Sequence, residues 1–397
     1  MRAVFLMSVV IFWQLLWAQS TVPAKRLFRI PYGREPHQIL LEPFGYRYPA
    51  EGSTSTGPKK LRVSSDGNYF YIITETKHGR EILQIFNRQG ILQAHIPADS
   101  GFFFIARNGM VCWIGGDATS IEAVERFRVR LLDVKGKEPE HLKPIARAYE
   151  KGIQSLVRSG YSIHIIYFDS YMNLYFSGVV LDDNKYLIGK IDKYGSASFL
   201  IYNRSFADFF SESNEDTLIY FQDALSESER KSLEEAVKEE HAPPGASIEV
   251  FKVEVHKFYK INISVFSMKD KKIIRRITIP NEKSLDKMEA ESESPDLRKV
   301  RADRRGNLFV PLEPLKIHWQ AIETPYGEFA VKQVPIQEYA PDGKRIGLRA
   351  VIPIADYGGP GGPVEPWDVD APGNLYYLVW TKDALEVWLA PVPESGR

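Results

Sequence analysis

A short phrase recurs four times along the chain: Asp66-Gly67-Asn68-Tyr69-Phe70, DSYMNLY from Asp169 to Tyr175, DRRGNLF from Asp303 to Phe309, and DAPGNLY from Asp370 to Tyr376. Each copy is an Asp, a tight turn ending at Asn, and an apolar or aromatic run. An Asp carboxylate accepts hydrogen bonds from backbone amides two residues on, and Gly and Asn tolerate positive φ, so the phrase reverses the chain between antiparallel strands. A chain that repeats one turn-and-strand unit must pack copies of that unit side by side, which confines it to repeat architectures. These Asp and Asn residues are expected to serve folding, with Asn307 and Asn374 at positive φ.

The first copy sits in a longer unit, from Gly57 to Ile96: a strand, the turn, a second strand, a polar loop, a third strand, a turn at Asn87 to Gly90, and a fourth strand. This unit resembles a blade of the NHL-type six-bladed β-propellers. Their repeat reads a strand, D-x-x-G-N, an aromatic strand, a polar loop, and a strand ending in F-D-x-x-G. Ile191-Asp192-Lys193-Tyr194-Gly195 and Tyr339-Ala340-Pro341-Asp342-Gly343 keep that last element, whereas the family's polar loop is not reproduced. The resemblance implies an all-β propeller that binds, scaffolds or catalyses through variable loops.

Asn68, Asn173, Asn307 and Asn374 are 105, 134 and 67 residues apart. At roughly 40 to 65 residues per blade, the spacing predicts a six-bladed β-propeller, with seven blades as the alternative because residues 206–280 are long and weakly patterned. Phe102 to Ile105 with Val111 to Ile114, and Thr217 to Phe221, are the strands expected of the unmarked blades. The last blade shows three strands, so Lys25 to Ile30 is expected to supply the fourth and close the ring. Closure of this kind removes an exposed sheet edge. Residues 21–397 are read as one propeller domain.

Two segments break the pattern. Residues 225–241 read as an inserted surface helix, with a capping box from Ser226 to Glu229 and a stop at Pro243-Pro244-Gly245. Residues 281–295 are charged and poor in aromatics, and read as a mobile loop. At the N-terminus, Arg2 followed by an apolar run to Ala18 reads as a signal peptide over residues 1–20, cleaved near Ala18 to Ser20. The expected location is therefore exported, periplasmic or extracellular, with no integral membrane domain after cleavage. The only Cys is Cys112, so no intrachain disulfide forms. Its apolar surroundings mark it as a buried structural thiol.

Lys plus Arg and Asp plus Glu both number 51, so no global field points to nucleic acid. The sequence carries no phosphate loop, zincin, nucleophile-elbow or cysteine-pair motif, and no cofactor is identified from it. In the propellers it resembles, the loops from second to third strand gather on the face opposite the D-x-x-G-N turns. The candidate ligand-binding residues on that rim are Lys77, His78, Arg80, Asp117, Lys316, His318, Trp319, Tyr326 and Trp380, with Glu122, Asp182, Asp183 and Lys382 beside them. Of these, the segment Pro314 to Tyr326, read as a long loop, is favoured because it joins an aromatic plane, a cation and a group titrating near neutrality. The expected function is a binding or scaffold module for a protein, peptide or glycan. The alternative is a metal-dependent, lactonase-like hydrolase or lyase with calcium in the channel, for which Glu365, Asp368 and Asp117 are the candidate carboxylates.

Overall fold

A computed structural model describes residues 23–41, 57–76, 80–98, 101–180, 185–203, 209–210, 217–223, 261–267, 272–279, 293–295, 300–314, 319–325, 327–356 and 365–393. The expected helix over 225–241 and the signal segment lie outside these residues.

Among the described residues the strands form six antiparallel sheets, in chain order. The first is a meander of β2 (Gly57–Val63), β3 (Tyr69–Glu75), β4 (Glu81–Asn87) and β5 (Leu92–Pro97). The second has three strands, β6 (Phe102–Ile105), β7 (Val111–Gly115) and β8 (Arg128–Leu132). The third runs through β9 (Tyr161–Phe168), β10 (Leu174–Val180), β11 (Lys185–Ile191) and β12 (Ala197–Asn203). The fourth holds β13 (Phe209–Phe210), β14 (Thr217–Asp223), β15 (Ile261–Ser267) and β16 (Lys272–Ile279). The fifth holds β17 (Glu293–Pro295), β18 (Arg301–Ala302), β19 (Leu308–Pro314), β20 (Trp319–Thr324), β21 (Gly327–Tyr339) and β22 (Arg345–Asp356). The sixth joins β23 (Trp367–Val369), β24 (Leu375–Trp380) and β25 (Ala384–Ala390) to β1 (Lys25–Pro31), which pairs antiparallel with β25 from Lys25↔Leu389 to Pro31↔Ala384. Four-stranded meanders following one another in sequence are the unit from which β-propellers are built.

Stacking of the sheets explains why their strands are apolar almost throughout rather than on alternate residues. Side chains along a strand point to opposite faces in turn. In β3, Phe70 and Ile72 enter a core shared with the sixth sheet and β1, whereas Tyr71 and Ile73 enter another shared with the second sheet. In β7 the same division sends Val111 to that second core and Cys112 and Ile114 to a third, shared with the third sheet. Each of these sheets is thus the wall of two cores. Burying a large apolar side chain contributes about 1.5–3 kcal/mol, so both faces stabilise the stack.

The second sheet holds an element that the repeat pattern does not announce. After a short helix α1 (Ile121–Val124) and β8, the chain forms α2 (Lys143–Arg158), which packs on β8, β9 and β11 where a fourth strand would stand. Ala146, Tyr149, Ile153, Leu156 and Val157 make its buried stripe, at the i, i+3, i+4, i+7 spacing of an amphipathic helix. Pro144 lies in its first turn and Ser159-Gly160 follow its end, so the signal was present in the sequence. The exposed edge of β8 is also managed chemically, because the Val129 amide donates to Glu150 Oε1 of the helix at 2.9 Å. A covered edge of this kind does not recruit a foreign strand.

Two expectations for the fifth sheet need correction. Residues 319–324 are not loop: β20 pairs with the start of β21 from Trp319↔Lys332 to Thr324↔Gly327. β21 is long enough to pair with β20 along one half and β19 along the other. The reason lies in residue type, since Trp319, Ile322 and Thr324 are among the residues that favour an extended, paired backbone. Residues 293–295, expected in a mobile loop, form β17 against β19.

Candidate functional site

The D-x-x-G-N turns are built alike. Asp303 Oδ1 accepts from the Asn307 amide at 2.9 Å and Oδ2 from Asn307 Nδ2 at 3.0 Å. Asp370 accepts from the Gly373 and Asn374 amides, from Asn374 Nδ2, and from the Tyr376 hydroxyl at 2.8 Å. Asp169 repeats the pattern with Asn173 and Tyr175. Burial pushes the carboxyls of Asp169 and Asp370 above the usual range despite these donors. Asp66 is exposed; burial is again the largest influence on it, but donors from Ser64 and Asn68 together outweigh it and hold the carboxyl low. The expected positive φ does not fall on the Asn residues. It falls on the residue before each: Gly67 at 68°, Gly306 at 84°, Gly373 at 95°, and Met172 at 63°. Asn serves instead as a side-chain donor to the Asp.

Neighbouring turns are also bonded to one another. The Arg304 amide donates to Ala371 O, the Ala371 amide to Ser65 O, and the Ser65 amide to Arg107 O, at 2.8–3.0 Å. The Asn108 amide then donates to Ser170 Oγ at 3.0 Å. Five sheets, the fifth, sixth, first, second and third, are joined in that order. Close packing accompanies the bonding: a Cβ on Gly67 would lie 2.5 Å from the Tyr376 hydroxyl, and one on Gly373 would lie 2.8 Å from Asp303 Oδ2.

Beside these turns, β2, β18, the turn after β6 and the segment from Glu365 into β23 bring charges together. Glu365 Oε2 accepts from Arg62 Nη2 and Arg301 Nη2, both at 2.7 Å, with Lys60 Nζ 4.0 Å away. Asp368 accepts from the Val63 amide at 2.8 Å and from Arg107 Nη1 at 3.2 Å, and Arg301 Nε lies 3.6 Å away. Arg301 also lies over the Trp367 ring, 5.5 Å from its centroid. The three arginines and Asp368 are buried. Burial alone would raise the Glu365 carboxyl, but Lys60, Arg62 and Arg301 overcome it and hold the group far below the usual carboxylate range. Glu365 is further fixed by backbone bonds of 2.6 and 2.9 Å to Lys59 and Leu61. These carboxylates cross-tie strands, and a divalent cation placed on them would meet three guanidinium groups at close range. They do not fit a calcium cage, for which oxygen ligands must converge at about 2.3–2.6 Å.

The rim residues separate into three groups. Arg80 and Asp117 are exposed, as are Glu122 and Lys382. The Asp117 carboxylate is occupied locally, accepting from the Thr119 amide and hydroxyl at 3.1 and 2.6 Å. Trp380 is not on the rim: it pairs with Leu385 and is 3% exposed in the core shared by the sixth and first sheets. Its place at the end of an apolar strand with Leu375 to Leu378 accounts for that burial. Lys77, His78, Asp182, Asp183, Lys316, His318 and Tyr326 lie outside the described residues, and Trp319 is placed only as the first residue of β20. Cys112 is fully buried, and burial pushes its thiol far up, as expected of a structural cysteine.

No protein-family model matches the sequence, and no curated protein matches it. Among solved structures, the chain is similar to the β-propeller domain of the Trilobed protease from Pyrococcus furiosus at 10% identity, covering 86% of this chain and 99% of that one with a TM-score of 0.36. It is similar to AofleA from Arthrobotrys oligospora at 9% identity, covering 94% and 96% with a TM-score of 0.39. The Dos1 propeller is similar at 8% identity, covering 84% and 78% with a TM-score of 0.34. Likeness of this size carries no ligand or activity to this chain.

Proposed function

We propose that the protein is an exported six-bladed β-propeller, closed by β1 in the last sheet, that acts as a binding or scaffold module for a protein, peptide or glycan. The observation that carries this reading is the contrast between the two ends of the sheets. At one end the turns are locked to each other, and the carboxylates beside them are held by arginines. At the other end Arg80, Asp117, Glu122 and Lys382 stand exposed on connections between second and third strands. A site built from such loops recognises by shape and by polar contact. The arginine-clamped Glu365 and Asp368 weigh against the metal-dependent hydrolase.

Peptide and glycan arrays probed with the purified protein, with and without chelator, test the reading. Chelator-resistant binding that Arg80→Ala or His318→Ala abolishes without lowering Tm supports it. Lactone hydrolysis that needs added calcium would replace it with the enzyme reading. N-terminal sequencing of secreted protein tests export, and a mature chain beginning at Met1 would remove the cleaved signal from the proposal.

A further inference from the structure

The turns that follow β4, β8, β11 and β21 repeat a pattern of their own. Each spends its first polar side chain as a local acceptor. Asn87 Oδ1 accepts from the Gln89 and Ile91 amides, Asp133 Oδ1 from those of Lys135 and Lys137, Asp192 Oδ1 from those of Tyr194 and Ser196, and Asp342 Oδ1 from that of Lys344. The three carboxylates are thus drawn in against their own backbone, while the cations of the same turns, Arg88, Lys135, Lys137, Lys193, Lys344 and Arg345, are all exposed. Three of the four turns also set a large apolar or aromatic side chain in water close to a cation. Ile91 is 59% exposed in the turn of Arg88, Tyr194 is 76% exposed beside Lys193, and Ile346 is 55% exposed beside Arg345.

These four turns share one end of the molecule. Strand register sets each beside the first turn of its own sheet, through Tyr69↔Asn87, Val111↔Leu132, Leu174↔Ile191 and Leu308↔Tyr339. Those first turns are bonded from sheet to sheet, from the fifth through the sixth and first to the second and third, so cations and apolar tips lie together at the end opposite the loop rim. Tyr171, in the first turn of the third sheet, is a further ring exposed there. Asp66, the exposed acid in the first turn of the first sheet, is tied to Ser64 and Asn68. A linear polyanion follows one track, so it would meet the cations of neighbouring sheets only and leave Ile91, Tyr194 and Ile346 in water. A surface that sets negative phosphates over an apolar layer meets every tip at once and takes up both kinds of side chain.

We propose that the turn end of the sheets is a peripheral docking face for an anionic phospholipid surface, with the cations against headgroup phosphates and Ile91, Tyr194 and Ile346 entering the interface. The contact does not depend on what the loop rim binds, and no helix among the described residues is long and apolar enough to cross a membrane. The chain from residue 21, which keeps every described residue, is sedimented with vesicles of phosphatidylcholine alone and of phosphatidylcholine mixed with phosphatidylglycerol. Binding to the mixed vesicles only, weakening as salt rises, is expected. Arg88→Glu on the first sheet and Lys344→Glu on the fifth should each weaken it by about tenfold, and together by more, because one face is engaged as a whole. Ile91→Ser with Tyr194→Ser should weaken it as well, and all these variants should keep the Tm of the unchanged chain. Failure to bind the mixed vesicles, equal partition to both kinds, or a response to only one of the two charge reversals overturns the proposal. Binding that ignores the Ile91 and Tyr194 changes also overturns it, in favour of a polyanionic or acidic protein partner.

Discussion

Replacing Gly67 by Ala should expose how tightly the turns bear on one another. Gly67 has φ of 68°, and an added Cβ would lie 2.5 Å from the Tyr376 hydroxyl of the neighbouring sheet. That hydroxyl cannot yield freely, because it donates to Asp370 Oδ2 at 2.8 Å within a fully buried ring. The left-handed backbone costs an L-residue about 1–2 kcal/mol, offset by about 0.4–1 kcal/mol from the stiffer unfolded chain. Displacing a hydrogen bond to a charged acceptor adds about 1.5–3 kcal/mol. Gly67→Ala should therefore destabilise by about 2–4 kcal/mol, read from urea unfolding. In a Tyr376→Phe background the hydroxyl is gone, and the same change should cost only about 1 kcal/mol. The coupling in this double-mutant cycle isolates the contact between sheets. Equal costs in both backgrounds would refute it.

Other perturbations follow the same chemistry. Asn307→Val removes a donor to Asp303 and Glu338 and should lower stability by about 1–3 kcal/mol; Asn307→Asp, which keeps the size but not the donor, should be no better in the same melt. Glu365 is held low by its cations, so its contribution is present above the unfolded carboxyl pKa of about 4.3 and is lost as pH falls below it. The stability gap between wild type and Glu365→Gln should narrow from pH 6 to pH 3, at about 25 °C in urea, and a gap independent of pH would contradict the assigned ion pairs. Glu150→Ala should cost about 1–3 kcal/mol by orphaning the Val129 amide, whereas Glu150→Gln, which keeps an acceptor, should unfold close to wild type.

The parts of the fold legible in the sequence are those made by neighbours in sequence. Within the turns at Asp169, Asp303 and Asp370 the aspartate carboxylates accept from donors two to six residues along the chain, so residue type announces them. The turns at Asn87, Asp133, Asp192 and Asp342 follow the same rule. Helix α2 is equally local, its 3.6-residue period carried by Ala146, Tyr149, Ile153, Leu156 and Val157, but no turn phrase marks it as part of a repeat. The charged cluster was not legible at all. Arg62 meets Glu365 across 303 residues and Arg107 meets Asp368 across 261; a lone Glu followed by Asp suggests metal ligands until the arginines facing them are known. The burial of Trp380 combines a local cause, the apolar strand it ends, with a non-local one, the core that its sheet shares with the first, and only the former is written in neighbouring residues.

Strand β1 is made first and completed last. Arg26 finds Glu386, 360 residues away, only when β25 exists, and the last sheet cannot form before the C-terminal strands leave the ribosome. At synthesis rates of about 5–20 residues per second, the N-terminal segment waits for tens of seconds without its partner. Contacts of such separation are slow to form. Under the export proposed above the delay is an advantage, because translocation can begin while the last sheet is still incomplete. Moving the chain ends to a connection between two complete sheets would abolish the wait, giving a permutant that folds sooner and, under the same proposal, crosses the membrane less readily.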